Sequence, residues 1–432
     1  MQRQKINFIS LGCSKNTVDS ENIAGTLSKD GFQVEFDSKD NDFDFVLINT
    51  CGFIDKAKEE SINTILDCVR LKQQTNKSFH IIVFGCLAQR YKEDLEKEIP
   101  EIDKIFGIMQ EKDILAYIRK QTTTSETFAR QLSTPKHYAY VKISEGCDRH
   151  CSFCAIPLIR GKHVSRPMEE IVQEVQQLAE QGVKEAILIA QDTSYYGLDL
   201  YKERKLPQLL KQLCQTDIQW IRLQYSYPNQ FPEEVLDLML EQTKICHYLD
   251  MPLQHINNRI LDSMNRNITD DEIKQLINKI RAKVPDIALR TTLIVGYPSE
   301  KKTEYEELKS FVEHTKFDRM GAFTYSKEEG TKAGMMRDSV PQKEKQRRLD
   351  ELVFMQQDIS LQLNKNKIGK TFQTIIDRKE GDYFIGRTQY DSPEVDNEVL
   401  ILDNGKQNIE IGNFYNVKIT SVEEFDLYGE VV

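Results

Sequence analysis

Short apolar runs alternate with helical stretches along the first third of the chain. The runs at 6–11, 45–50 and 80–85 are continuous and short, and amphipathic segments such as 20–30 and 57–73 separate them. Continuous apolar runs between helices are typical of strands buried on both faces of a parallel sheet. The pattern predicts an α/β fold whose N-terminal parallel α/β domain covers residues 1–120.

The strand-then-helix pattern returns between 138 and 337, and a different pattern follows it. Repeated βα units of this length indicate a partial (β/α) barrel, and a long charged helix over 342–364 closes it. Beyond this helix only short strand patterns and turns occur, which predicts a small β-barrel. We therefore expect a polar linker over 121–136, the partial barrel over 137–366 and the β-barrel over 367–432.

Three cysteines follow the three apolar runs of the first domain. Cys13, Cys51 and Cys86 each lie just beyond the predicted carboxyl end of a strand. Ligands bind at that edge of parallel sheets, so these thiols are expected to converge in what we call the strand-end site. One such cysteine alone would be a buried core residue. Core packing accounts for the cysteines that lie within apolar patterns, namely Cys68, Cys214 and Cys246.

A second group of cysteines occupies eight residues directly after the strand-like run 138–143. We call Cys147, Cys151 and Cys154 the loop site. Three thiolates can hold three irons of a cubane iron–sulfur cluster and leave the fourth iron open to a substrate or cofactor. On spacing alone, a zinc knuckle that includes His150 or His163 also fits.

Composition restricts the setting of these sites. The chain has 432 residues and nine cysteines, with neither a signal-peptide pattern nor an apolar run long enough to span a membrane. Two or three domains are expected at this length. Clustered cysteines without an export signal favour metal binding in a reducing cytoplasm over disulfides.

The net charge of −10 is concentrated near the end of the chain. Residues 371–432 contain thirteen Asp and Glu against five Lys and Arg. A folded domain with this charge would repel RNA phosphates and attract a basic protein. A merely soluble acidic surface has the same composition, so both interpretations stand at this point.

The loop site, with Phe153 before its last cysteine, resembles the signature of radical S-adenosylmethionine enzymes. With the strand-end site before it and a small β-barrel behind, the order resembles the methylthiotransferases. That family implies a methylthiotransferase domain, a partial radical barrel and a TRAM domain. Stretches 11–21, 49–54, 190–193 and 391–396 are similar to its ribosomal-protein branch, RimO. The tRNA branch usually has Gln-Met-Asn at positions 14–16, where this chain has Ser-Lys-Asn, and the RimO branch usually has proline at position 14.

The resemblance implies two 4Fe-4S clusters and S-adenosylmethionine as cofactors. The loop site would cleave S-adenosylmethionine to a radical that abstracts hydrogen from the β-carbon of an aspartate, and the strand-end site would provide the sulfur. A second S-adenosylmethionine would provide the methyl group. No catalytic residue beyond the cluster ligands is expected. Family analogy and the strand-end rule give these S-adenosylmethionine contacts: Phe153, Gln191, Asp192, Gln254, His255, Gly296 and Glu300.

The implied partners follow from the same resemblance. The substrate would be the basic ribosomal protein S-twelve, either free or in the small subunit, and an electron donor would be needed. We expect a cytoplasmic monomer with no membrane association and no tRNA substrate. A tRNA adenosine methylthiotransferase is the alternative enzyme, and a non-catalytic zinc or iron–sulfur scaffold is the alternative of another class.

Overall fold

A computed structural model describes residues 3–40, 42–75, 78–119, 129–405 and 407–432. Its elements form a five-stranded sheet, a six-stranded sheet and a closed five-stranded barrel, together with a two-stranded ribbon. In these ranges no helix combines the length and the apolar character needed to cross a membrane. The predicted α/β fold class and the terminal β-barrel are confirmed.

The first sheet is parallel, and its strand order is β2-β1-β3-β4-β5. The continuous apolar runs form β1, β3 and β4, which follow one another in this sheet. These runs are apolar throughout because helices cover both faces of the sheet. The strands are β1 (Lys5–Ser10), β2 (Gln33–Phe36), β3 (Phe45–Thr50), β4 (His80–Gly85) and β5 (Lys104–Ile105). The helices are α1 (Ser14–Lys29), α2 (Asp55–Thr75), α3 (Cys86–Arg90), α4 (Lys92–Glu98) and α5 (Glu111–Arg119).

The second sheet is an open, parallel half-barrel with the order β13-β12-β11-β10-β9-β6, and β7 pairs with β8 beside it. One face packs on the surrounding helices to form the largest apolar core. The strands are β6 (Tyr138–Lys142), β7 (Ser144–Glu145), β8 (Val164–Ser165), β9 (Glu185–Ile189), β10 (Trp220–Leu223), β11 (Ile245–Asp250), β12 (Ala288–Val295) and β13 (Arg319–Thr324). The helices are α6 (Ile156–Arg160), α7 (Met168–Glu180), α8 (Leu206–Leu213), α9 (Glu234–Glu241), α10 (Asn258–Ser263), α11 (Asp270–Lys283), α12 (Lys302–Thr315), α13 (Lys332–Met335) and α14 (Gln342–Lys365).

The terminal barrel packs against the inner face of the half-barrel. Trp220 of the half-barrel meets Phe414 at 4.7 Å between ring centroids, and Tyr248 donates a hydrogen bond to Asp396 over 2.8 Å. Arg319 pairs with Asp391 in the same interface. The acidic segment 391–396 therefore anchors the barrel. Its strands are β14 (Thr371–Glu380), β15 (Tyr383–Thr388), β16 (Glu398–Leu402), β17 (Phe414–Val422) and β18 (Asp426–Val431).

The part of the predicted linker that the structure describes is a packed segment. Residues 121–128 lie outside the described residues. Arg130 follows them and is fully buried between two carboxylates, Glu21 of α1 at 2.6 Å and Glu174 of α7 at 2.8 Å. A buried charge of this kind requires its partners, so Arg130 ties the first sheet to the half-barrel.

Candidate functional site

The strand-end site forms where three adjacent strands end. Cys13 precedes the first turn of α1, Cys51 follows β3, and Cys86 begins α3 directly after β4. The three thiols act on one another electrostatically, since Cys13 contributes to the pKa of both Cys51 and Cys86. The structure thus brings the three residues together, as the order of the parallel strands requires.

The half-barrel completes the strand-end site. Cys86 packs against Ala155 and Ile159, which lie just after the loop cysteines. Arg160 of the half-barrel donates from Nε to the Cys86 sulfur over 3.3 Å and from Nη2 to Asn16 over 2.6 Å. Its Nη1 donates to the carboxylate of Glu145, which also belongs to the half-barrel, over 2.8 Å. Arg160 is therefore a buried bridge between the strand-end site and the half-barrel and not a surface charge.

The loop site is surrounded by donors from its own domain. The backbone N–H of Arg149 points to the Cys147 sulfur at 3.3 Å, and Arg266 Nη1 lies 3.4 Å from the Cys151 sulfur. Both guanidinium groups stack on the Tyr227 ring, each 4.1 Å from its centroid. These contacts hold the cysteine loop and place positive charge beside its sulfurs.

Both cysteine sites have the three thiol ligands that an iron–sulfur cluster takes. Burial raises the pKa of the Cys86 thiol to about 11 and that of the Cys147 thiol to about 12. A thiolate in such a place needs more positive charge than one arginine supplies, and a bound metal provides it. Each thiolate of a cubane binds a different iron, so the thiols need not meet at one point.

The zinc alternative requires a histidine beside the loop cysteines. His150 is exposed, while His163 is buried with Nε2 3.0 Å from the Ser165 hydroxyl. Across the described ranges, no group of three His, Cys, Asp or Glu side chains is arranged to hold a metal ion. The zinc alternative therefore stays a prediction that metal analysis tests.

Three of the predicted S-adenosylmethionine contacts are half-buried at the carboxyl edge of the half-barrel. Gln191 follows β9, and Phe153 packs against the side chains around Met264. Gln254 has a left-handed backbone, with φ of 75°, and its buried Oε1 has no hydrogen-bond partner. An unpartnered buried oxygen in a strained loop is a feature of ligand sites. Gln254 thus has a polar atom free for a ligand, and its role stays a prediction.

The other predicted contacts are engaged with the protein. Asp192 holds Arg149 at 2.9 Å, and Glu300 accepts from Arg348 of α14 over 2.5 Å. His255 is fully buried, accepts the Asn257 N–H at Nδ1, and has a pKa lowered to about 3 by burial. Their roles stay predictions. Gly296 likewise packs against α14, where an added Cβ would overlap the Lys345 side chain.

Two cationic residues near the cysteine sites are not among the predicted contacts. Arg266 follows Asn265 in a turn between α10 and α11, more than one hundred residues from the cysteine that it contacts. Lys15 lies in the first turn of α1, and its ammonium sits 3.2 Å from the centroid of the Tyr225 ring. Only the fold brings Arg266 to the loop site, and only the fold places the ammonium of Lys15 over the Tyr225 ring.

Comparisons with known families match three successive parts of the chain. Residues 5–107 match the family described as Uncharacterized protein family UPF0004, residues 141–312 match the Radical SAM superfamily, and residues 368–432 match the TRAM domain. Among solved structures, the radical S-adenosylmethionine methyltransferase TsrM of Kitasatospora setae aligns with a TM-score of 0.55. It is 14% identical, and the match covers 88% of this chain and 79% of TsrM. This likeness concerns the fold alone.

Full-length relatives are far more similar. A protein of Cytophaga hutchinsonii named ribosomal protein uS12 methylthiotransferase RimO is 52% identical over 432 residues, which is 100% of this chain and 98% of that protein. A protein of Phocaeicola vulgatus with the same name is 51% identical over 434 residues and is covered, like this chain, to 100%. With its cysteine sites, radical SAM fold and TRAM barrel, the chain belongs to the RimO family of radical S-adenosylmethionine methylthiotransferases.

Proposed function

We propose that this enzyme transfers a methylthio group to the β-carbon of an aspartate in ribosomal protein uS12, with S-adenosylmethionine and two 4Fe-4S clusters as cofactors. The observation that carries the proposal is the adjacency of two three-cysteine sites, with Cys86 of one packed against Ala155 beside the other. Sulfur insertion at an unactivated C–H bond needs both a radical source and a sulfur source, and the two sites can hold one each.

The chain's own residues prepare both sites for anionic clusters. Cys147, Cys151 and Cys154 would hold one cluster and leave one iron open, while Cys13, Cys51 and Cys86 would hold the other. When bound, the clusters supply the electron that cleaves S-adenosylmethionine and a sulfur ligand close to the substrate. Arg266 and Arg160 donate N–H groups to cysteine sulfurs, which stabilises the charged ligand set.

The terminal barrel supports a basic protein as the substrate. Asp377, Asp391 and Asp396 are used internally, since each pairs with an arginine inside the protein. Other acidic side chains of the barrel remain exposed, and Glu423 and Glu424 directly precede the exposed Phe425. This face would attract a basic ribosomal protein and repel tRNA phosphates. A ribosomal substrate also implies that the enzyme acts in the cytoplasm, together with an electron donor.

Metal analysis tests the cofactor proposal. Anaerobically reconstituted protein should contain about eight irons and eight sulfides per chain. About four irons would contradict the two-cluster assignment, and zinc in place of iron would contradict the enzyme itself.

A substrate assay tests the reaction. The reconstituted enzyme is incubated with S-adenosylmethionine, a reductant and either uS12 or unmodified tRNA. We expect a methylthio mass gain on one aspartate of uS12 and none on tRNA. Free uS12 and assembled small subunits are compared in parallel. A gain on tRNA alone would establish the alternative substrate.

A further inference from the structure

Lys15 is a buried cation without an anionic partner. Its side chain belongs to the first turn of α1, two residues after Cys13, and is only 5% exposed. The ammonium rests on the Tyr225 ring, 3.2 Å from the centroid. Within the part of the chain that the structure describes, no carboxylate forms an ion pair with it and no hydrogen bond from it is present. Buried lysines are usually paired, so this one requires a functional explanation.

Asp250 is influenced by the charge of Lys15 but does not form an ion pair with it. Asp250 lies at the end of β11, and its Oδ2 accepts the backbone N–H of Tyr225 over 3.1 Å. Its Oδ1 has no hydrogen-bond partner and lies 3.8 Å from Arg290 Nε. Lys15 acts on Asp250 through space only and, with Arg290, opposes the desolvation that raises the pKa of that carboxyl to about 6. A second carboxylate could therefore still bind the ammonium.

The Tyr225 ring under the ammonium is held in a fixed position. Tyr225 lies two residues beyond the end of β10. Its backbone is left-handed, with φ of 61°, which is unusual for an aromatic residue. Its carbonyl accepts the Thr193 N–H over 3.0 Å, so hydrogen bonds to two neighbouring strand ends hold the ring in place. Strain of this kind is typical of functional sites.

Lys15 also lies where the reacting groups must meet. It reaches from the first domain to the carboxyl edge of the half-barrel, the edge at which substrates bind in such sheets. Cys13 of the strand-end site is two residues away in sequence, and Asn16, the next residue, accepts a hydrogen bond from Arg160 of the half-barrel. A ligand over Tyr225 would therefore contact both domains at once.

We propose that Lys15 binds the side-chain carboxylate of the substrate aspartate and makes the enzyme specific for aspartate over asparagine. This inference rests on the proposed function. The carboxyl carbon is bonded directly to the β-carbon, so fixing the carboxylate also fixes the C–H bond that reacts. The ammonium contributes a charge-assisted hydrogen bond in a dry site, where it is strongest.

The test is a double-mutant cycle between enzyme and substrate. Wild type, Lys15→Met and Lys15→Arg are reconstituted with clusters and assayed on uS12 and on uS12 whose target aspartate is changed to asparagine. We expect Lys15→Met to lower kcat/KM on uS12 by about 10- to 100-fold, the range expected for one hydrogen bond to a charged group. The asparagine substrate should cost the wild type a similar factor, but should cost Lys15→Met little more. Lys15→Arg should recover part of the loss.

Two measurements exclude a structural effect. Iron content and thermal unfolding of Lys15→Met should equal those of Lys29→Met, which replaces an exposed lysine on the same helix. Binding of the two forms of uS12 to the loaded enzyme, measured without reductant, should show the same loss of discrimination. Equal losses on both substrates would overturn the role of Lys15 in reading the carboxylate.

The competing source of a carboxylate is S-adenosylmethionine. If Lys15 bound that group instead, Lys15→Met would weaken S-adenosylmethionine cleavage in the absence of uS12, and this result too would overturn the proposal. The proposed function fails separately: in that case the wild type would leave uS12 unmodified. An active wild type with an equally active and equally selective Lys15→Met would overturn only the inference.

Discussion

The strand-end site and the loop site use the same ligand type but depend on the fold in different ways. The loop cysteines lie close together in the chain, and the residues around them belong to the half-barrel. Arg266 contacts Cys151, and Asp192 holds Arg149 of the cysteine loop. The strand-end cysteines come from three separate strand ends, and a residue of another domain, Arg160, contacts one of them. One site is thus complete within its domain, whereas the other is completed only when two domains pack together.

The difference has a chemical consequence. A radical source can be built on a short loop, because it needs only three thiolates and a position open to a cofactor. A sulfur source must also be held at a fixed distance from that radical, which only tertiary packing can set. In the proposed function, the contacts of Cys86 with Ala155 and Ile159 would set this distance.

The largest expected effect separates the two sites by removing one thiol from each. Cys151→Ala should abolish cleavage of S-adenosylmethionine, because the loop cluster is lost. Cys51→Ala should retain cleavage without substrate and lose methylthiolation of uS12. Each variant should keep about four of the eight irons. Cys68→Ala, which removes a buried thiol of α2, is the control and should keep all eight. Full methylthiolation by Cys51→Ala would show that the strand-end site is not the sulfur source.

Two glycines allow the same comparison without replacing a cysteine ligand. Gly12 has φ of 93°, and a Cβ there would lie 2.6 Å from the Cys51 Cβ. Gly146 has φ of 68°, and its Cβ would overlap the carbonyl oxygen of Lys162. We expect Gly12→Ala to lose the strand-end cluster and keep S-adenosylmethionine cleavage, whereas Gly146→Ala should lose cleavage. Iron analysis and 5′-deoxyadenosine formation measure the two effects.

The matched controls for these substitutions are glycines with the same backbone and free space. Gly31 has φ of 93° and Gly405 has φ of 67°, and an added Cβ meets nothing within 4 Å at either position. Their alanine variants should lose about 1 kcal/mol of stability from the left-handed backbone and keep both clusters. If Gly31→Ala lost iron as Gly12→Ala does, backbone strain and not crowding at Cys51 would be the cause.

The contact between the domains provides an intermediate effect. Arg130→Met leaves Glu21 and Glu174 buried without their shared partner, which costs about 3–5 kcal/mol. Urea unfolding should show this loss, and the strand-end cluster should become more sensitive to chelators than the loop cluster. Arg70→Met removes one exposed ion pair with Asp67 and should change stability by less than about 1 kcal/mol. Equal chelator sensitivity of both clusters would contradict the dependence of the strand-end site on domain packing.

The sequence accounts for much of this architecture because strand order follows simple rules. Continuous apolar runs mark buried parallel strands, and three cysteines beyond such strands must lie at one sheet edge. The structure agrees at Cys13, Cys51 and Cys86. The helix predicted over 342–364 is likewise present as α14 (Gln342–Lys365).

Contacts between distant segments could not be predicted in the same way. The region of Arg130 has the polar composition of a linker, yet this side chain is buried because carboxylates from two domains meet there. The acidic excess of the terminal barrel predicted a negatively charged outer surface. Two of these carboxylates, those of Asp391 and Asp396, instead neutralise Arg319 and Arg290 inside the protein. Composition gives the number of charges and not their partners.

The smallest expected effect distinguishes the two arginines that donate to sulfur. Arg266 contacts Cys151 from within the half-barrel, and Arg160 contacts Cys86 across the domain boundary. A hydrogen bond to a cluster sulfur stabilises the reduced, more negative state, so its loss lowers the reduction potential. One such bond is worth about 1.5–3 kcal/mol. Only the part gained on reduction shifts the potential, so the shift is at most roughly 60–130 mV for one electron.

Redox titration monitored by electron paramagnetic resonance can resolve the two sites if each is measured with the other cluster removed. In the Cys51→Ala protein, Arg266→Lys should lower the loop potential, while Arg160→Lys should leave it nearly unchanged. In the Cys151→Ala protein, Arg160→Lys should lower the strand-end potential, while Arg266→Lys should leave it nearly unchanged. Arg130→Met should lower the strand-end potential too, because looser domains withdraw Arg160 from Cys86, but it should leave the loop potential unchanged. A shift of both potentials by Arg130→Met would mean that the loop site also depends on the neighbouring domain.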